Sequence, residues 1–198
     1  MYIKNNIYGD TMRVIGVNGS PRKKGNTQAL LKVAMESSKI DNMKLIHLVD
    51  YEILPCDGCG ACWKTKKCPI DDDLEKVIRE LVSSDAILIG SPAYYGTVSA
   101  QMKTFIDRSG ELLGARGYPL KDKVGGALSV ARRWGHITTW TTLLLYILEM
   151  RLIVPGAGWG SATALKPNQV MNDKEGVERA KELGESIGKL CKILTKKS

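Results

Sequence analysis

Five short apolar runs alternate with stretches of helical period along this chain, and that alternation restricts its fold more than any other feature. Residues 12–18 (MRVIGVN), 43–49 (MKLIHLV), 85–90 (DAILIG), 123–130 (KVGGALSV) and 152–157 (LIVPGA) have the length and apolar content of buried strands. Between them, Leu30, Leu31, Val33, Ala34 and Met35 recur at helical spacing. So do the apolar positions of 74–82 (LEKVIRELV), the set Val98, Met102, Phe105 and Ile106, and the run from Ile137 to Met150. A last helix carries Val177, Ala180, Leu183, Ile187, Leu190 and Leu194 in one stripe, with Cys191 beside it as a core thiol. Strands separated by helices pair in parallel through right-handed crossovers. The expectation is an α/β fold: a doubly wound, five-stranded parallel sheet whose ligand site lies beyond the carboxyl ends of the strands. Residues 12–198 are expected to form a single domain and residues 1–11 a loose N-terminal extension without the apolar core of a secretion signal.

The loop after the second strand is the chemical anomaly. Four of the chain's five cysteines, Cys56, Cys59, Cys62 and Cys68, lie there as C-x2-C-x2-C-x5-C, and the first three repeat the compact run with which bacterial ferredoxins grip an iron-sulfur cluster. Gly58 and Gly60 let the backbone wrap tightly around such a centre. Structural zinc and unliganded or redox-active thiols are the rival readings, although zinc sites usually separate their two cysteine pairs more widely. Clustered thiols without a secretory signal point to metal ligation in a reducing compartment, hence the cytoplasm. Asp71, Asp72 and Asp73 stand where carboxylates cap the following helix rather than bind a metal.

The net charge of +8 is spread along the chain, and no basic block is interleaved with aromatics, which argues against nucleic acid as a partner. No apolar run reaches the roughly eighteen residues of a membrane span, so membrane insertion is not expected. Acidic protein partners or anionic cofactors suit the charge better. Lys64, Lys66 and Lys67 sit within the cysteine loop, where they either raise a cluster's potential and attract an acidic electron carrier or form a solvated face.

Three loops fall at the expected ligand edge. The first, Gly19 to Thr27, places hydroxyls, an amide and backbone donors at the start of a helix, with Asn26 and Thr27 as candidate caps. It lacks G-x4-G-K-[ST] and G-x-G-x-x-G, so a mononucleotide fits it better than nucleotide hydrolysis or a dinucleotide. The second, 91–100 (SPAYYGTVSA), sets an aromatic pair beside backbone donors, as a site for a flat ring requires. Tyr94 and Tyr95 are adjacent, so at most one is expected to face such a ring. In the third, Arg132 and Arg133 either bind a nicotinamide cofactor's phosphate, balance a reduced ring's charge or lie on the surface. His136 either donates to the ring or caps the next helix, and His47, within a strand, is read as structural.

The motifs GSPRKKGNT and SPAYYGTVSAQMKTFIDR, with the cysteine loop between them, resemble the iron-sulfur flavoprotein family, which is flavodoxin-like and related to the NADPH-dependent FMN reductases. The resemblance runs from about Met12 onward. It implies FMN and a [4Fe-4S] cluster, the latter on Cys56, Cys59, Cys62 and Cys68. It further implies that Ser20, Arg22, Asn26 and Thr27 hold the FMN phosphate and that Pro92, Ala93, Tyr94, Tyr95 and Gly96 line the isoalloxazine. Ala131, Gly135 and His136 are further candidate contacts, on a loop that departs from the family's glycine-rich version. No side chain is assigned a catalytic role, because the redox chemistry belongs to the cofactors. The expected function is electron transfer between FMN and the cluster, with ferredoxin as partner and a homodimer or homotetramer as assembly. The alternatives are an NAD(P)H-dependent FMN or quinone reductase with a non-essential cysteine loop, and a noncatalytic redox sensor or binding module.

Overall fold

The computed structural model describes residues 12–195, so the expected extension over 1–11 lies outside the described residues. Its elements run in chain order as β1 (Arg13–Asn18), α1 (Asn26–Ser37), β2 (Asn42–His47), α2 (Ala61–Thr65), α3 (Leu74–Val82), β3 (Ala86–Pro92), α4 (Ala100–Ala115), β4 (Val124–Ala131), α5 (His136–Glu149), β5 (Gly160–Thr163) and α6 (Lys174–Thr195). The five strands form one parallel sheet in the order β2-β1-β3-β4-β5. This is the flavodoxin-like doubly wound arrangement, and its strand order reverses between β1 and β3.

Alternate strand residues feed two separate cores. Ile15, Val17, Ile87 and Ile89 pack with Leu74, Ile78, Phe105, Leu112 and Leu143 beneath α3, α4 and α5. Val14, Leu88 and Leu128 pack on the opposite face with Leu30, Leu31, Leu183 and Ile187 of α1 and α6. Strands buried on both faces read as unbroken apolar runs, which is why 85–90 was legible as a strand. Gly125 and Gly126 of β4 keep both coverings close: a Cβ at Gly125 would come within 2.6 Å of Ile147 on α5, and one at Gly126 within 2.9 Å of Ile187 on α6.

Two local expectations are corrected. Residues 152–157 do not form the fifth strand. Ile153 makes only an isolated bridge to Val124, and the run then reaches Pro155, which has no N–H to extend a ladder. The fifth strand is instead Gly160–Thr163, where glycine lets the chain press against β4: a Cβ at Gly160 would lie 2.5 Å from the carbonyl of Ala127. Nor do Asn26 and Thr27 cap α1. Gly25 is the capping residue, and no side chain closes that helix end. Cys191, by contrast, is buried in the α1–α6 core as expected. Among the described residues, no helix is long and apolar enough to cross a membrane.

Candidate functional site: two cavities at the sheet edge and a cysteine loop on α4

The loop after β1 is held from within. The Asn18 Oδ1 accepts from Ser20 N at 3.0 Å, Ser20 Oγ accepts from Arg22 N at 3.1 Å, and Gly19 N donates to Gly90 O of β3 at 2.8 Å. These bonds carry the chain to the start of α1, whose first turn has no acidic residue and no side-chain cap. Its free amides therefore face the loop without an anionic neighbour of their own. Gly25 leaves room beside them: a Cβ there would lie 3.1 Å from Arg22 O. Uncapped amides beside Arg22, with Ser20 and Thr27, fit a phosphate.

A cavity of about 180 Å³ opens at this point, bordered by Ser20, Arg22, Asn26 and Thr27 from the first loop and by Pro92, Ala93 and Tyr94 from the second. Ala131 and Arg132 close it from the third loop, and Ala164 to Pro167 from the segment after β5. That last segment was not anticipated. Asn26 explains its position: its Oδ1 accepts from Gln169 N and Val170 N, and its Nδ2 donates to Lys166 O. The residue assigned to a phosphate thus spends its amide on fixing the opposite wall.

A second cavity, of about 320 Å³, is bordered by Ala93, Tyr95, Gly96, Arg132, Arg133 and Trp134. The adjacent tyrosines are therefore divided, Tyr94 to the first cavity and Tyr95 to the second. The division comes from a two-residue turn. Tyr94 and Thr97 exchange backbone hydrogen bonds, and the central Tyr95 and Gly96 have φ of +48° and +83°. Both central residues in the left-handed region make this a type I′ turn, which usually takes asparagine or aspartate followed by glycine. Gly135 and His136 border neither cavity. Gly135 packs under Ala93 and Gly96 with φ +90°, and the ring of His136 meets Thr163 Oγ1 at 3.2 Å.

The cysteine loop lies along α4. Gly58 and Gly60 have φ of +72° and +67°, so both supply the left-handed conformations expected of them. The four loop cysteines are free thiols and border one cavity of about 180 Å³, together with Arg108 and Glu111. Among the described residues, no three histidine, cysteine or acidic side chains converge as ligands of a single ion. Sulfurs spaced around a volume suit a polynuclear centre, which spreads its ligands over several metal atoms. A second observation agrees with an occupant that accepts hydrogen bonds: Arg108 Nε is buried without a partner. Asp57 Oδ1 accepts from Cys59 N at 3.1 Å, and its hydrogen bonding with Cys59 holds the carboxyl below its ordinary pKa, while burial raises that of Cys62.

One face of α4 anchors this loop. Arg108 reaches Leu54 O, Cys68 Sγ and Asp72; Glu111 Oε2 accepts from Trp63 Nε1 at 2.7 Å; and Arg116, just past the helix, donates to Lys66 O and pairs with Glu75. Glu111 and Arg116 follow Arg108 by three and eight residues, which at 3.6 residues per turn puts all three on one side. At the other end of α4, Ser99 Oγ accepts from Met102 N and donates to Gly19 O in the first ligand loop. Sequence alone does not single out Arg108: it stands three residues after Phe105 on α4, and its partners Leu54, Cys68 and Asp72 are 36 to 54 residues away. Asp73 occupies the N-cap position of α3 but turns its carboxylate to Glu52 N and Lys76, so it does not close the helix end, while Asp72 Oδ1, one residue earlier, accepts from Leu74 N.

The NADPH-dependent FMN reductase family model matches residues 12–165. An iron-sulfur flavoprotein of Methanocaldococcus jannaschii is 36% identical over 195 residues, which cover 93% of this chain and 100% of that protein. The chain belongs to the iron-sulfur flavoproteins. A second such relative, from Methanosarcina thermophila, is 32% identical over 92% of this chain and 95% of its own length. A flavodoxin, WrbA-like protein from Agrobacterium tumefaciens shares the fold with a TM-score of 0.65 at 19% identity, covering 92% of this chain and 98% of that one. As a family member, this flavoprotein is an FMN-dependent oxidoreductase.

Proposed function

We propose that this flavoprotein passes electrons between FMN, held at the sheet edge, and a [4Fe-4S] cluster held by Cys56, Cys59, Cys62 and Cys68, with ferredoxin or a similar small carrier as its redox partner. The single observation that carries the reading is the cavity bordered by all four loop cysteines, on the same helix that props the first ligand loop. When bound, the flavin supplies one- or two-electron chemistry and the cluster one-electron chemistry. The chain's own task is placement. Ser20, Arg22 and the uncapped amides of α1 receive the phosphate, Pro92 to Gly96 receive the ring, and Arg132 stands where it can offset negative charge. Lys64, Lys66 and Lys67 around the cysteines suit an acidic carrier. The apolar side chains Ile137, Leu145 and Leu148, exposed on α5, suit burial in a homodimer or homotetramer. Free thiols throughout suit the reducing cytoplasm.

Anaerobic purification with iron, sulfide and flavin analysis, together with visible and EPR spectra, tests the reading. About four iron and one FMN per chain are expected for a single cluster. Zinc without sulfide would sink it. Replacement of Cys68 by serine should lower cluster content, and unchanged content would remove it as the fourth ligand.

A second reading is favoured by the arginine- and aromatic-bordered cavity beside Tyr95, which suits a nicotinamide cofactor. In that case the protein is an NAD(P)H-dependent FMN or quinone reductase. Rapid anaerobic flavin bleaching by NADPH, equally fast in cluster-free cysteine variants, distinguishes it.

A further inference from the structure

We infer that Arg108 sets the reduction potential of the centre held by the cysteine loop, acting through the sulfur of Cys68. This rests on the reading of that loop as an iron-sulfur site. The Arg108 side chain is 1% exposed, and so is that of Asp72, its partner at 2.9 Å. The same guanidinium donates to Leu54 O at 2.5 Å and to Cys68 Sγ at 3.2 Å. One side chain therefore ties the segment entering the cysteine loop to the segment leaving it. A planar fork can serve three acceptors in fixed directions, which a lysine ammonium cannot do. Arg108 is thus a positioning residue for the fourth cysteine.

Its charge adds a second effect. Reduction of a cluster adds one electron, and the added negative charge spreads onto the ligand sulfurs. A buried cationic N–H against one of those sulfurs stabilises the reduced form more than the oxidised one, which raises the potential. Asp72 acts with the opposite sign from the other side of the same guanidinium. Arg108 and Asp72 therefore shift the potential in opposite directions, whereas two residues that merely hold the loop would both lower cluster content and leave the potential of any retained cluster alone.

EPR-monitored redox titration of the anaerobically purified full-length holoprotein, with iron and sulfide quantified in each sample, reads this directly. In Arg108→Gln the ratio of reduced to oxidised cluster at the wild-type midpoint should fall about tenfold, equivalent to 59 mV for a one-electron couple. In Asp72→Asn it should rise. Cluster-loaded variants that both titrate with wild type would overturn the inference and leave the cluster reading standing, and so would shifts of the same sign. Wild type lacking iron and sulfide would overturn both. Because Arg108→Gln leaves the Asp72 carboxylate buried without its cation and can fail to fold, pulsed EPR on wild type grown with guanidino-15N arginine provides an independent measurement. A 15N coupling to the reduced cluster is expected. Its absence from a fully loaded sample would overturn the inference.

Discussion

Asn18 Nδ2 donates to Nδ1 of His47 at 2.9 Å, joining the carboxyl ends of neighbouring strands β1 and β2. The amide cannot be reversed, because its Oδ1 accepts from the backbone N–H of Ser20. The bond therefore requires His47 to be neutral, and burial holds the pKa of His47 below its ordinary 6.5. In the unfolded chain the imidazole takes up a proton near 6.5 that the folded protein refuses. Stability is thus complete above that value and is lost as pH falls through it. Denaturant titrations from pH 7.5 down to 5 should show this loss in wild type and a flatter dependence in His47→Gln. Equal slopes would remove His47 from the account.

Tyr95 is fully exposed with φ +48°, so its side chain loses little packing if it is replaced. Left-handed backbone costs about 1 kcal/mol at residues other than glycine, asparagine and aspartate, whose short polar side chains tolerate it. Tyr95→Asn should therefore raise stability by about that amount in chemical denaturation while altering whatever binds in the cavity beside it. A stability loss in that variant would mean that the tyrosine ring has a partner this chain alone does not supply.

Two helix glycines should respond to alanine with opposite signs. A Cβ on Gly184 of α6 would lie 2.0 Å from the carbonyl oxygen of Ala34 on α1, whereas one on Gly110 of α4 would meet nothing within 4 Å. Gly184→Ala should cost about 3 kcal/mol through forced separation of α1 and α6. Gly110→Ala should stabilise by about 1 kcal/mol through helix propensity alone. Thermal melts of the two variants check both.

Cys191 is 2% exposed, and burial pushes its thiol pKa up to about 11. In folded protein stripped of any metal, alkylation at pH 8 followed by peptide mass spectrometry should modify the exposed Cys56 and Cys59 and leave Cys191 intact until denaturant is added. Modification of Cys191 under native conditions would show that the α1–α6 core opens.

The sheet was legible because β1, β3 and β4 are buried on both faces and read as apolar runs, and the edge strand β2 still carries Leu45 and Ile46, so the alternation of strands with helices carried the fold. The fifth escaped notice for the opposite reason. Gly160–Thr163 is short and made of small residues, while the β-branched Ile153 and Val154 lie beside a proline that ends any ladder. Loop motifs located residues that border the cavities at the sheet edge and in the cysteine loop, since glycine, serine and cysteine spacings are local in sequence. What the sequence hid was every contact made across long separations: Asn26 on the wall at 166–170, Arg108 on Cys68 and Asp72, and the seating of Gly184 and Gly188 against the carbonyls of Ala34 and Ser38. No periodicity distinguishes an arginine that will be buried from one that will be solvated until its partners are known.

Helix α4 begins under the loop after β1 at Ser99 and grips the cysteine loop nine residues later at Arg108. Nine residues of α-helix span about 14 Å, and a hydrogen-bonded helix changes length very little. The two loops are therefore mounted on a common strut whose dimension is indifferent to motions at either end. Under the proposed function, electron tunnelling between the two loops would depend steeply on their separation, and a rod of fixed length would turn a folding decision into a rate. A one-residue insertion within 100–107 would lengthen the strut and also rotate the anchoring face by about 100°. The separation of the two loops and the facing of the side chains that anchor them therefore change together.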